Sequence, residues 1–196
     1  MKVRELDIQD VDAAIADIAQ GINRAANRPA CLIGIANGGV IPAQLLAREL
    51  GGVPLLTVRL SRKSSGPFKR VLVRLTSYLP TPFRNTLRVW EMQVRTSHSQ
   101  VPPQPSKSLL ASAAKLSAEI PLNSDDPIVI VDDAIDTGKT VYLLVEALCS
   151  AGVSRERIKV AVLAHTLQDP LIRADFYAFD GALYRWPWSD DRREQL

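Results

Sequence analysis

Cysteine is scarce in this chain, with two in 196 residues. Cys31 and Cys149 both lie in apolar segments at the ends of expected core elements. They read as reduced core residues, which excludes a disulfide-stapled scaffold and leads us to expect a cytoplasmic protein. No apolar run approaches the roughly 20 residues of a membrane-crossing helix, so no membrane partner is expected. Residues 1–20 mix several acids with their apolar positions, unlike a secretory leader. Internal repeats and true low-complexity tracts are missing too. The net charge of +3 suits anionic substrates but does not by itself argue for nucleic acid. What is present is a globular composition, 46% hydrophobic and 23% charged. That supports one domain, residues 1–196, with room for a small appendage.

The hydrophobic pattern alternates between two periods. Val11, Ala14, Ile15, Ile18 and Ile22 recur at helical spacing across residues 10–24. A short apolar run follows at 30–35 and ends in Asn37, Gly38 and Gly39. Residues 41–50 read as a helix stopped by Gly51 and Gly52. Residues 54–60 read as a strand, 128–131 as another, 141–150 as a helix and 159–164 as a further strand. Strand and helix in alternation argue an α/β fold with a parallel sheet flanked by helices. Residues 62–107 interrupt this pattern. They are rich in Pro, Ser and Thr, strongly basic, and carry Glu91 as their one acid.

The string IVIVDDAIDTGKT at residues 128–140 carries the most chemistry. Four apolar residues read as a buried parallel strand. Asp132, Asp133 and Asp136 would then lie in a loop at its carboxyl end, where open α/β sheets bind ligands. Thr137, Gly138, Lys139 and Thr140 would open the next helix. Free N–H groups and the helix dipole favour a phosphate there. A Walker A loop also ends in Gly-Lys-Thr, but it needs a glycine where Asp133 stands. A buried strand ending in a solvated acidic turn is the plain alternative.

VDDAIDTGKT at residues 131–140 resembles the phosphoribosyl-diphosphate (PRPP) signature of type I phosphoribosyltransferases, closest in look to the xanthine, guanine and hypoxanthine enzymes. The resemblance implies that Asp132 and Asp133 hold the ribose hydroxyls of PRPP, directly or through Mg²⁺. Hard oxygen donors suit that ion. It implies a 5′-phosphate on Thr137, Gly138, Lys139 and Thr140. It makes Asp136 the catalytic general base toward a purine-like nucleobase. A helix N-cap is the plain alternative for Asp136, and both roles could hold together.

GIANGGVIP at 34–42 resembles the same family's diphosphate loop. Backbone N–H groups of Ala36, Asn37, Gly38 and Gly39 would cup the diphosphate. Family members often carry a cation where this chain has Asn37, and Arg59 or the basic segment could supply that charge. Segment 62–107 takes the place of the family's closing loop. A solvated basic hairpin is the alternative, and RNA binding is not expected. The tail, 165–196, would form a hood with the base site. ADFYA at 174–178 and RWPW at 185–188 resemble the tail of the xanthine and guanine enzymes. Tyr184 or Trp186 would stack on the base, or the aromatics would form a small hood core. His165 would donate one hydrogen bond to the base, or would simply end a strand.

The expectation is a Mg²⁺-dependent transferase of nucleotide salvage that makes a nucleoside 5′-monophosphate and diphosphate. By resemblance it would be a homodimer. The alternative is a regulator on the same fold that senses PRPP or a nucleotide, with the basic segment contacting RNA or protein.

Overall fold

The computed structural model describes residues 3–25, 28–36, 38–60, 102–121, 125–167 and 169–188. The chain divides into two units, Met1 with Ser61–Pro102, and Lys2–Leu60 with Pro103–Leu196. Every element below belongs to the second unit. The expected lid or hairpin at 62–107 lies outside the described residues up to its last few positions.

In chain order the elements are β1 (Val3–Glu5), α1 (Ile8–Ala25), β2 (Cys31–Ala36), α2 (Val40–Glu49), β3 (Leu55–Arg59) and α3 (Lys107–Glu119). Then come β4 (Ile128–Ile135), α4 (Lys139–Ser150), a short 3₁₀ turn (Arg155–Arg157), β5 (Ile158–His165), β6 (Phe176–Asp180) and β7 (Leu183–Arg185). Five strands form one parallel sheet in the order β3-β2-β4-β5-β6. The α/β expectation of a central parallel sheet flanked by helices holds. Among the described residues no helix is long and apolar enough to cross a membrane.

Strand alternation sorts the core into two layers. Ile33, Ile128, Ile130, Ile158 and Val160 pack with α3 and α4 on one face. Leu32, Val129, Val131, Ala161 and Leu163 pack with α1 and α2 on the other. The helical spacing in α1 did its job: Val11, Ala14, Ile15, Ile18 and Ile22 are all buried.

Two differences from the sequence reading matter. First, β4 does not stop at Val131. It runs on through the acids to Ile135 because β5 extends equally far, with Asp132 opposite Val162 and Ile135 opposite His165. Second, the tail is not all hood. β6 is the fifth strand of the main sheet. The hood itself is a two-stranded parallel sheet of β1 and β7, closed by an Arg185–Glu5 ion pair at 3.0 Å.

Chain winding reverses between β2 and β4. From β2 the chain proceeds outward to β3, and from β4 outward to β5 and β6. Such a switch point leaves a crevice at the carboxyl ends of the two central strands. Pairing of β2 with β4 ends at Gly34 and Val131, so Asp132 and Asp133 lie beyond their β2 partner at the crevice end of the sheet.

Candidate functional site

The crevice gathers three acids and two helix starts. Asp132 is buried, while Asp133 and Asp136 are half-buried. Each of the paired acids accepts a bond from the next backbone N–H. Asp133 N–H donates to Asp132 Oδ1 at 3.0 Å, and Ala134 N–H donates to Asp133 Oδ1 at 2.8 Å. These bonds satisfy the two N–H groups at the point where pairing with β2 has ended. Burial raises the Asp133 carboxyl above the ordinary aspartate range, and the nearby charge of Asp136 adds to this. The Ala134 N–H and a hydrogen bond with Asp132 oppose it. Two adjacent carboxyls held this way favour a cation or a hydroxyl donor between them.

Asp136 is not a helix cap, which corrects one of its two expected roles. The N-cap of α4 is Gly138, and Asp136 Oδ1 instead accepts from Thr166 Oγ1 at 2.6 Å. Gly138 adopts φ +73° and has no side chain to cap the helix. Helix α2 starts the same way, on Gly39 with no side-chain cap. Helix α3 differs, since the Ser106 hydroxyl accepts from Leu109 N–H at 3.3 Å. The helices α2 and α4, which start on glycine, therefore keep N–H donors free of a side-chain cap, while α3 caps itself.

Gly138 has a second reason to be glycine. A Cβ there would stand 2.9 Å from Ile172 N, because the 171–172 backbone crosses over it. Leu171 N–H donates to Thr137 carbonyl oxygen at 2.9 Å and pins that crossing. The glycine accommodates protein backbone as well as any phosphate. Lys139 and Thr140, in the first turn of α4, are half-buried, as is Thr137.

The other loop is narrower than expected as a diphosphate cup. Gly39 N–H donates to Ile35 carbonyl oxygen at 2.8 Å, so it is not free for a ligand. Gly39 packs on the β4 backbone, with a would-be Cβ 2.8 Å from Asp132 Cα. Gly38 lies against the Asp133 carboxylate. Ala36 ends β2 and pairs in register with Arg59, whose exposed side chain ends β3 beside it. Asn37 lies outside the described residues.

The base-site expectations fare differently. His165 is a core residue with no exposed surface, so its ring offers nothing to a ligand. Ala174 N–H donates to its Nε2 at 3.1 Å, which puts the neutral ring's proton on a buried, unpartnered Nδ1. Burial lowers its pKa, Asp180 opposes the shift and Arg173 adds to it. The strand-end reading is the correct one. Trp186 is also core, 5% exposed. It stacks between Tyr184 and Trp188 at centroid distances of 5.9 and 5.7 Å, and Phe179 stacks on Tyr184 at 5.2 Å. These four rings pack against the core layer that α1 and α2 share with the sheet. Tyr184 keeps a half-buried edge, and its hydroxyl donates to Asp180 carbonyl oxygen at 3.0 Å. Thr166, which sequence reasoning passed over, is the residue that touches Asp136.

A depression of about 340 Å³ lined by Asp125, Pro127, Ser154, Glu156, Arg157 and Lys159 opens at the amino ends of β4 and β5. It lies at the opposite end of these strands from the acids.

A family model for the phosphoribosyl transferase domain matches residues 5–181. Among solved structures, the chain is similar over 97% of its length to 96% of a purine phosphoribosyltransferase from Pyrococcus horikoshii Ot3, at 24% identity and a TM-score of 0.59. Over 98% of its length it is similar to 96% of a Helicobacter pylori xanthine-guanine-hypoxanthine phosphoribosyltransferase, at 10% identity and a TM-score of 0.59. Over 99% it is similar to 94% of a hypothetical protein from Neisseria gonorrhoeae with bound ppGpp, at 15% identity and a TM-score of 0.56. At these identities the likenesses show the fold. No curated protein matches the chain in sequence.

Proposed function

The chain belongs to the phosphoribosyl transferase domain family, and from this we propose that it transfers the 5-phosphoribosyl group of PRPP to a purine-like nucleobase. One observation carries the reading: Asp132, Asp133 and Asp136 stand at the carboxyl end of β4 beside the uncapped start of α4. On this reading the N–H groups of Thr137, Gly138, Lys139 and Thr140 bind the 5′-phosphate. Asp132 and Asp133 hold the ribose hydroxyls. Ala36, Gly38 and the exposed Arg59 meet the diphosphate. Asp136 takes the proton from the attacking ring nitrogen. The N–H bond pair forms the new bond to C1′, and the C1′–O bond breaks with its pair leaving on diphosphate. Developing positive charge on the ribose is stabilised by the same carboxylates.

The donor set suits Mg²⁺. That ion takes one or two carboxylates and completes its shell with water and substrate oxygens. Asp132 and Asp133 would hold it, and it would neutralise the diphosphate. Among the described residues there is no cluster of three or more His, Cys, Asp and Glu for a wholly protein-held ion. A purine-like acceptor is suggested by two of the structural neighbours, which are purine and xanthine-guanine-hypoxanthine phosphoribosyltransferases. The half-buried edge of Tyr184 is the base contact we assign in this chain.

The test is diphosphate release from PRPP and Mg²⁺ with a panel of purine bases. We expect turnover with at least one base. PRPP binding without turnover on any base would sink the transfer reading.

That second outcome would favour a sensor of PRPP or of a nucleotide. Burial of both His165 and Trp186 gives this alternative its support, because two expected base contacts are withdrawn into the core. The Neisseria neighbour on the same fold holds ppGpp.

A further inference from the structure

β4 and β5 stay in register up to Ile135 opposite His165, so Asp136 and Thr166 are the first residues past the last pair. Two hydrogen bonds join them to the same point. Thr166 N–H donates to Ile135 carbonyl oxygen at 2.9 Å, which fixes the Thr166 backbone on the end of β4. Thr166 Oγ1 donates to Asp136 Oδ1 at 2.6 Å. That distance is in the range of a charge-assisted O–H···O⁻ bond. Thr166 is 6% exposed, whereas Asp136 is half-buried. A buried hydroxyl anchored by its own backbone thus grips one oxygen of the Asp136 carboxylate.

We propose that Thr166 is a positioning residue for Asp136. It holds Oδ1 with one hydrogen bond, and we assign Oδ2, which lacks that bond, to receive the proton of the acceptor nitrogen. Fixing the carboxylate plane in this way aligns the base before substrate arrives, which is where orientation contributes most to rate. The inference rests on the transfer reading for its consequence, but the contact itself does not. Because β-branched threonine is held through its backbone as well, the side chain has little freedom to release the carboxylate.

Three substitutions test it. Thr166→Val keeps the shape and loses the hydroxyl. Thr166→Ser keeps the hydroxyl, and Thr166→Ala supplies a second hydroxyl-free variant should the valine protein not fold. With whichever base supports diphosphate release, the valine variant is expected to lose about 10- to 100-fold in kcat. Its Kd for PRPP with Mg²⁺ should stay within about twofold, and serine should restore kcat to within about threefold. A purely structural role would instead lower stability and PRPP binding together and would not be rescued by serine. Wild-type kcat in the valine variant overturns the proposal. If the wild-type protein turns over no base, the transfer reading fails separately. Crystal structures of the wild-type, valine and serine proteins then decide the positioning claim. A carboxylate of Asp136 rotated in the valine protein alone supports it, and one orientation in all three overturns it.

Discussion

Gly38 has no side chain because the Asp133 carboxylate fills the space where a Cβ would stand. The glycine of one loop and the acid of the other are therefore a matched pair across the switch point. Each constrains the other, although they are far apart in sequence.

Gly38→Ala should push the Asp133 carboxylate out of place. The methyl group meets a carboxylate already held by the Ala134 N–H, so relief requires breaking that bond. We expect the Kd for PRPP with Mg²⁺ to rise about tenfold or more, equivalent to ~1.4 kcal/mol. Isothermal titration calorimetry measures it. Unchanged affinity would mean that Asp133 is not in the PRPP site.

Gly138→Ala should cost stability for two additive reasons. A left-handed φ of +73° penalises any Cβ, at about 1–2 kcal/mol. The crossing backbone at Ile172 adds overpacking, typically about 1–3 kcal/mol. Urea unfolding of the ligand-free protein should show a loss of at least ~2 kcal/mol at unchanged m-value. A loss below half a kcal/mol would contradict the crowded turn.

Local sequence carried some of this architecture. Spacing in α1 and the apolar run of β4 are short-range signals, and each led to the right element. The acids were expected in a loop, and Asp132 and Asp133 stand on the strand. The places that escaped are set by distant partners. β4 continues through Asp132 and Asp133 only because β5 is long enough to pair with it. His165 is buried only because the chain returns at Ala174 with an N–H to satisfy. Gly39 loses its free N–H to Ile35 because the turn into α2 is tight. Helix α3 is a different case. Leu109, Ala113 and Leu116 stand at helical spacing behind a capping Ser106, so that signal was readable and was obscured by the basic segment before it.

His165 makes the protein sensitive to mild acid. Its pKa in the folded chain is lowered from 6.5, first by burial. Below about pH 6.5 the unfolded chain takes up a proton that the folded chain refuses. Stability is therefore full above that value and falls as pH drops toward the lowered folded value. His165→Gln cannot titrate. Urea unfolding of both proteins from pH 7.5 to 5 should give a shallower acid slope for the variant, whatever its absolute stability. Equal slopes would mean that His165 titrates alike in both states.

The three acids should separate by role when each is neutralised without change of shape. Asp132 and Asp133 sit on the strand, engaged with the following N–H groups, and are assigned to ribose and Mg²⁺. Asp136 lies past the strand end and is tied to Thr166. The double variant Asp132→Asn with Asp133→Asn should lose PRPP binding by at least about a hundredfold. Asp136→Asn should leave the Kd for PRPP within about threefold yet lower kcat by about 10²- to 10⁴-fold, the usual contribution of a general base. An amide at 136 can still accept the Thr166 hydroxyl through its oxygen, so the fold around the crevice is retained. The loss then reports proton transfer and not collapse of the site. Turnover that survives Asp136→Asn would remove the general-base assignment, and with it the reason for Thr166 to hold that carboxylate still.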